Sequence, residues 1–183
     1  MKNIELPKNV NIIIEKLEQK GFEGFAVGGC VRDSLLGKTP TDWDITTNAL
    51  PADMKKIFNK TFDTGIAHGT ITVLMDGVGY ELTTYRIDGN YSDGRHPDSV
   101  SFSKNLSEDL CRRDFTINAM AYSKKSGTID LYDGVEDLKR GIIRAVGDAK
   151  LRFKEDALRM LRAVRFCAQL GFKIEEKTFA AIK

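Results

Sequence analysis

The sequence has few of the residues that mark disulfide-rich, zinc-binding or membrane proteins. Only three of its 183 residues are cysteine, at positions 30, 111 and 167, and no two of them form a Cys-x-x-Cys pair. This argues against a disulfide framework and against a structural zinc site. No apolar run approaches the roughly 20 residues of a spanning helix, and the N-terminal residues lack the apolar stretch of a signal peptide. We therefore expect a cytoplasmic protein with no membrane partner.

Signals for several common enzyme classes are also missing. The two histidines, His68 and His96, are isolated, and we expect structural roles for both. The glycine pair at residues 28 and 29 belongs neither to a Walker loop, which needs Gly-Lys-Ser/Thr, nor to a Gly-x-Gly-x-x-Gly fingerprint. Cys30 occupies a variable position after that pair and needs no redox role.

The charge of the chain is uneven. The net charge is only +2, but residues 150–183 hold nine Lys or Arg against four Asp or Glu. This local excess favours polyanionic partners.

The order of predicted elements divides the chain near residue 148. Residues before this boundary are predicted to form an α/β unit, here called the head. Within it, Pro51 marks the start of a helix, and Gly77 and Gly79 mark a hairpin. Residues 88–99 read as a mobile loop, 106–123 as helical, and 127–134 and 141–147 as short strands. After the boundary, 152–171 read as one long helix followed by the start of another.

Two aspartates separated by one residue, Asp42 and Asp44, are the first candidate chemical group. On a strand that spacing places both carboxylates on one face, while Trp43 and Ile45 point to the other. Two such anions repel each other unless a cation lies between them, and Mg²⁺ takes carboxylate and phosphate oxygens. The pattern predicts a Mg²⁺ site, with a polar edge strand beside a turn as the alternative.

The glycine pair Gly28-Gly29 lies between a predicted strand and a predicted helix. Because glycine has no Cβ, the backbone N–H groups there can approach a phosphate closely. Arg32, in the first helical turn, can reach the same phosphate with a forked guanidinium. The alternative is an ordinary glycine turn with Arg32 and Asp33 in solvent.

Glu81 is the candidate for a third carboxylate, because two-metal phosphoryl chemistry needs more oxygen ligands than Asp42 and Asp44 provide. It lies in the apolar run "YELTTYRI", where a lone buried acid is costly. A salt bridge to Arg86 or a turn in register is the structural alternative.

These motifs together resemble a known family. "GGCVRDSLLG" followed by "TDWDIT" resembles the signature of the nucleotidyltransferase branch that contains tRNA CCA-adding enzymes and bacterial poly(A) polymerases. "RRDFTINAMAY" and "EDALRMLRAVRF" resemble the next two motifs of its bacterial and eukaryotic class (class II). The resemblance implies an α+β fold: a polymerase β-like nucleotidyltransferase head with a mixed sheet flanked by helices over 1–147. Residues 148–183 would begin an all-helical neck that continues beyond Lys183.

The resemblance also implies roles for single residues. Asp42 and Asp44 match metal ligands, while Gly29 and Arg32 match triphosphate contacts. The matching nucleotide contacts further along are Arg113, Asp114 at the ribose, the base-reading pair Asp156 and Arg159, and Arg162 and Arg165. Gly28 and Asn118 complete the predicted nucleotide-binding set.

The side-chain pattern agrees with these roles but leaves alternatives. Asp114 could also N-cap a short helix anchored by the apolar residues around it. Asp156 and Arg159, at i and i+3, can match a cytosine or adenine edge, or can form an ordinary ion pair. One face of the long helix is predicted to be apolar, from Ala157, Met160, Leu161, Val164 and Ala168.

The family's activity is template-independent addition of C, C and A to the tRNA 3′ end from CTP and ATP with Mg²⁺. Poly(A) synthesis, CC-only addition and A-only addition share these motifs, and the 88–99 loop is where members are thought to differ. A nucleotide-binding fragment with little turnover is a further alternative, since the tRNA-gripping parts of the family lie beyond the neck. The sequence does not indicate an oligomeric state.

Overall fold

A mixed sheet of seven strands forms the centre of the structure, a computed structural model that describes residues 3–182. In sheet order the strands are Thr61–Gly65 (β3), Thr70–Met75 (β4), Val78–Thr84 (β5), Ile45–Thr47 (β2), Gly24–Val27 (β1), Met120–Ser123 (β8) and Gly127–Asp130 (β9). The β2 and β5 strands are parallel, and the other neighbouring pairs are antiparallel. The predicted α+β class with a mixed sheet is confirmed.

Helices pack around this sheet. Within residues 3–182 they are Lys8–Gln19 (α1), Gly29–Leu35 (α2), Pro51–Ile57 (α3), Leu106–Cys111 (α4), Gly134–Arg140 (α5), Ala149–Glu155 (α6), Leu158–Leu170 (α7) and Glu176–Ala180 (α8). Helix α1 buries Val10, Ile13, Ile14 and Leu17, a spacing that lines one face of a helix. None of the described helices is both long and apolar enough to cross a membrane.

Two small sheets lie beside the large one. Arg86–Asp88 (β6) pairs antiparallel with Val100–Phe102 (β7), so the 88–99 loop closes a hairpin. The apolar run over residues 80–87 is therefore divided between two strands at Tyr85, which is fully buried and whose N–H donates to Thr47 O. Ile142–Ile143 (β10) pairs parallel with Lys173–Ile174 (β11).

The hairpin between β4 and β5 turns at Asp76 and Gly77. Both residues have positive φ, 51° and 80°, as a two-residue type I′ turn requires. Gly79, predicted to mark this turn, instead lies inside β5 opposite Leu74.

The predicted helix over residues 106–123 is wrong for most of its length. Helix α4 ends at Cys111, Thr116–Asn118 form one 3-10 turn, and the following residues form β8. All four residues of β8 are buried, and the strand pairs with both β1 and β9. In a short run that is buried on both faces, the spacing of the apolar residues does not distinguish a strand from a helix.

The predicted long helix over residues 152–171 is two helices. The chain breaks at Asp156, which has extended dihedral angles of −141° and 102°. Asp156 Oδ1 accepts the N–H of Leu158, and the next N–H, of Ala157, donates to Gly94 O in the 88–99 loop. Asp148 caps α6 through the N–H groups of Lys150 and Leu151; the division into 1–147 and 148–183 stays a prediction.

The residues of the predicted apolar face are mostly exposed, although Met160 packs against the core. Leu161 and Val164 are 67% and 54% exposed, whereas Ala163 and Phe166 are buried in the core. Helix α7 is therefore rotated so that Phe166 packs edge-on against Phe115, with ring centroids 5.9 Å apart.

Substituting Gly134 tests how closely α5 packs on the turn that precedes β8. A Cβ at Gly134 would lie 2.3 Å from Thr116 O, a backbone atom that cannot swing away. We expect Gly134→Ala to lower the free energy of unfolding by about 2 kcal/mol, measured by urea denaturation. Gly171→Ala is the control, because its Cβ would meet nothing within 4 Å and only its positive φ costs about 1 kcal/mol. Equal losses in the two variants would contradict the predicted clash.

Candidate functional site

Asp42 and Asp44 lie just before β2, not on it, at the mouth of a cleft. Both are exposed, Trp43 is partly buried against the core, and Ile45 is buried. The predicted alternation of faces therefore holds although the strand begins only at Ile45. The backbone O of Asp44 accepts the N–H of Val27 at 3.0 Å, which fixes the pair beside the end of β1.

The electrostatics around Asp44 suit a cation. Desolvation raises the pKa of Asp44 above its ordinary value, the positive charge of Arg113 opposes this, and the negative charge of Asp42 raises the pKa further. Two adjacent carboxylates are a donor set that Mg²⁺ uses together with substrate phosphates. Within residues 3–182, no three His, Cys, Asp or Glu side chains are grouped to hold a metal.

Glu81 lines the same cleft as Asp42 and Asp44. It is exposed on β5, so the cost of burying a lone acid, which singled it out, does not apply. Arg86, its alternative partner, instead lies 3.1 Å from Asp88. A catalytic role for Glu81 stays a prediction.

Gly28 makes the turn from β1 into α2. Its dihedral angles of 81° and −131° lie in a region open to glycine, and a Cβ there would lie 3.2 Å from Arg113 Nη1. The N–H of Gly28 donates to Met120 O at 3.2 Å. The N–H of Gly28 is thus not free to donate to a phosphate. Of the predicted glycine pair, this leaves the N–H of Gly29, the first residue of α2.

Arg32 is held inside the protein, contrary to the alternative that places it in solvent. It is buried, with Nε and Nη2 donating to the carboxylate of Asp33 and Nη1 donating to Asn118 Oδ1 at 2.8 Å. Its guanidinium also stacks 5.1 Å from the centre of the Phe166 ring. Arg32 therefore contacts Phe166, the aromatic residue through which α7 packs on the core.

Asn118, Asp114 and Arg162 continue this chain of contacts. Asn118 Nδ2 donates to Asp114 Oδ1 at 3.2 Å, and Arg162 donates to Asp114 Oδ2 from Nε at 2.7 Å and lies 2.6 Å away at Nη2. Asp114 does not N-cap a helix, because the following 3-10 turn has no side-chain cap. Its carboxylate instead links the turn before β8 to α7.

Arg165 differs from the other predicted residues of α7. It is exposed, and its guanidinium lies 5.2 Å from the centre of the Phe166 ring. It does not line the polar cavity that Arg159 and Arg162 line, so its predicted nucleotide contact stays a prediction.

A polar cavity of about 260 Å³, here called the arginine cavity, lies between the 88–99 hairpin, residues 112–114 and the start of α7. Five of its lining residues are predicted nucleotide contacts: Arg113, Asp114, Asp156, Arg159 and Arg162. Sequence reasoning assigned no role in the site to the others, Arg86, Asp88, Tyr91, Arg95, Pro97 and Arg112. The only signals for these were the Arg112-Arg113 pair and the position of the 88–99 loop. Six arginines against three aspartates make the cavity a site for anions.

Arg159 is fixed by partners other than Asp156. It is 7% exposed, and its Nη1 donates to Glu155 Oε2 at 2.8 Å while its Nη2 donates to Arg112 O at 3.1 Å. Its Nε lies 3.9 Å from Asp156 Oδ2, too far for a hydrogen bond. Asp156 and Arg159 therefore lie side by side in the cavity without a hydrogen bond between them. Each keeps hydrogen-bonding groups for a ligand.

Comparison with known proteins gives consistent matches. A sequence profile of the poly(A) polymerase head domain matches residues 24–144. A CCA-adding enzyme of Leuconostoc mesenteroides is 55% identical over all of this chain and 46% of its own length. One of Lactobacillus delbrueckii is 58% identical over 93% of this chain and 43% of its own length.

Solved structures match over the same extent. The Bacillus stearothermophilus CCA-adding enzyme in complex with CTP has a TM-score of 0.88 and 47% identity, over 97% of this chain and 43% of that one. A CCA-adding enzyme in complex with ATP has a TM-score of 0.78 and 30% identity, over 98% and 42%. The chain thus spans less than half the length of these relatives.

Proposed function

This chain belongs to the poly(A) polymerase head-domain family, and we propose that it is the catalytic and base-recognition part of a tRNA nucleotidyltransferase. The proposed reaction adds C, C and A to the 3′ end of tRNA from CTP and ATP, without a nucleic-acid template and in the cytoplasm. The observation that carries this proposal is the arginine cavity, where two separate sequence motifs converge close to Asp44.

The bound nucleotide spans two regions in this proposal. Arg113 lies at the junction, with Nη1 beside the Gly28 turn and its charge felt at Asp44. The triphosphate occupies the side of Gly29, Arg113 and the two aspartates, where Arg113 supplies positive charge and Mg²⁺ held by the aspartates would add more. The base lies against α7, where Asp156 offers an acceptor and Arg159 a forked donor.

Asp42 and Asp44 are the residues proposed to hold Mg²⁺, together with phosphate oxygens of the nucleotide. When bound, Mg²⁺ lowers the pKa of the attacking hydroxyl and neutralises charge on the phosphates. The chain's own residues position the reactants: the arginines fix the triphosphate so that the RNA 3′-hydroxyl meets the α-phosphate in line. The 3′-oxygen forms a new bond to the α-phosphorus and gives up its proton to solvent, while the bond from that phosphorus to the α–β bridging oxygen breaks and pyrophosphate leaves with its electron pair.

The choice of CCA addition among related activities is supported by the named relatives. The CCA-adding enzymes of Leuconostoc and Lactobacillus match more than nine-tenths of this chain. The arginine cavity itself would also accommodate A-only, CC-only or poly(A) synthesis.

Extension of a tRNA that lacks its CCA end tests the proposal. We expect CTP alone to add two nucleotides and CTP with ATP to add three, resolved on a sequencing gel. A tRNA that already ends in CCA is the control and should not be extended. A long ladder with ATP alone would instead indicate poly(A) synthesis. Nucleotide binding without any extension would indicate a fragment with little turnover.

A further inference from the structure

Asp109 is a fully buried acid outside every motif assigned above. It lies on α4, and its side chain is 0% exposed. Burying a carboxylate costs several kcal/mol unless its oxygens are paired and hydrogen-bonded. The partners of Asp109 therefore indicate why an acid is retained there.

Both oxygens of Asp109 are saturated by hydrogen bonds. Oδ1 accepts from Nε and Nη2 of Arg112, at 3.0 and 2.7 Å. Oδ2 accepts from Arg113 Nη2 at 3.1 Å and from Thr46 Oγ1 at 3.2 Å. Since Thr46 lies on β2 two residues after Asp44, one carboxylate ties both arginines to the strand that follows the paired aspartates.

The two arginines diverge from this shared carboxylate to different sides of the arginine cavity. Arg112 Nη1 lies 3.6 Å from Asp88 Oδ2, at the start of the 88–99 hairpin. Arg113 points towards the Gly28 turn, and its Nε is buried without a hydrogen-bond partner among the described residues. The rotamers of both guanidiniums are therefore set largely by Asp109.

We propose that Asp109 is a positioning residue, which holds Arg113 in the orientation that binds the triphosphate of the nucleotide, while Arg112 is turned towards the 88–99 hairpin. The proposal rests on the proposed function only in taking the arginine cavity as a nucleoside triphosphate site. Burial alone would raise the pKa of Asp109, but Arg113 and then Arg112 bring it below its ordinary value. The carboxylate is thus ionised at neutral pH and provides the charge that the two guanidiniums share.

Loss of this carboxylate has a specific consequence for Arg113. One other nearby anion is Asp44, whose pKa already responds to the Arg113 charge. An asparagine at position 109 presents an N–H₂ group to guanidinium donors, so at least one hydrogen bond to an arginine is lost. Arg113 is then free to turn towards Asp44, away from the phosphates.

Asp137 offers a closely matched control. It is also buried, at 2% exposure, and lies on a short helix. It accepts hydrogen bonds from the Thr116 hydroxyl and from Nε and Nη2 of Arg144. Neither Asp137 nor Arg144 lines the arginine cavity. Asp137→Asn therefore neutralises a buried carboxylate that is paired with an arginine, here a more exposed one, away from the arginine cavity.

The test measures ATP and AMP binding by calorimetry with Mg²⁺ and unfolding in urea. We expect Asp109→Asn to raise the Kd for ATP at least about tenfold, as loss of a charge-assisted hydrogen bond does, and that for AMP by less than about threefold. Both variants should lower the urea midpoint of unfolding to a similar degree. Asp137→Asn, however, should change the Kd for ATP by less than about twofold.

Two results would overturn the proposal: equal weakening of ATP and AMP binding by Asp109→Asn, or equal weakening of ATP binding by both variants. If Asp109→Asn does not fold, Thr46→Val carries the test, because it keeps the side-chain shape and removes the hydroxyl that Asp109 Oδ2 and Thr83 O share as acceptors. It should raise the Kd for ATP about threefold, and an unchanged Kd would contradict the role of Asp109. A wild-type chain that binds no ATP would refute the proposed function itself.

Discussion

Replacing Asp44 with alanine is expected to reduce nucleotide incorporation about 1000-fold, because loss of metal-based charge stabilisation costs several kcal/mol in the transition state. Asp42→Ala should have an effect of the same order. Both residues are exposed at the cleft, so neither change should lower the free energy of unfolding by more than about 0.5 kcal/mol. The measurement is the single-turnover rate of incorporation into tRNA that lacks its CCA end.

Two further variants sharpen this test. Asp63→Ala removes an exposed acid that pairs with Lys55 on the surface, and it should leave incorporation unchanged. Glu81→Ala decides the role of the third acid: a loss of about tenfold or more is expected if Glu81 takes part. Near-normal incorporation by both Asp42→Ala and Asp44→Ala would rule out the two-aspartate mechanism.

The features that could be predicted from the sequence are those with a local cause. The Asp42 and Asp44 alternation follows from the period of extended backbone, and the start of α3 follows from Pro51. The convergence of Arg113 and Arg159 on one cavity came from motif resemblance, because no local pattern places residues 46 positions apart side by side.

The features that could not be predicted depend on tertiary contacts. The burial of β8 on both faces decides that it is a strand, and a hydrogen bond from Ala157 to the 88–99 loop accompanies the break before α7. Asp109 precedes Arg112 and Arg113 by three and four residues, a spacing typical of ordinary helical ion pairs. Only its full burial and the Thr46 contact distinguish it from a surface pair.

Preorganisation of arginines is the common theme of the site. Arg113 shares Asp109, Arg159 is held by Glu155, and Arg162 is held by Asp114. Because each guanidinium is fixed before the nucleotide arrives, less side-chain entropy is lost on binding. This rigidity also means that the donors of Arg159 left for a base have a defined direction, so that α7 can select between bases.

Arg159→Ala is accordingly expected to abolish base selection. The wild-type chain should bind CTP and ATP about 30-fold to 100-fold more tightly than GTP and UTP, the value of one or two hydrogen bonds to a charged group. In Arg159→Ala the four affinities should agree within about threefold. Arg159→Lys keeps the charge but not the fork, so it should lose selectivity while retaining more of the affinity. Calorimetry with Mg²⁺ measures all four nucleotides on each variant.

Arg140→Ala is the control for loss of positive charge alone, since Arg140 is exposed on α5 and does not line the arginine cavity. It should preserve the preference for CTP and ATP. Selectivity retained in Arg159→Ala would move base recognition away from α7. Equal binding of all four nucleotides by the wild-type chain would leave the cavity as a phosphate site only, and the identity of the added base would then have to be set by contacts outside it. Selectivity lost in Arg159→Ala and kept in Arg140→Ala places the choice of base at Arg159, because both variants remove one positive charge and only Arg159 lines the arginine cavity.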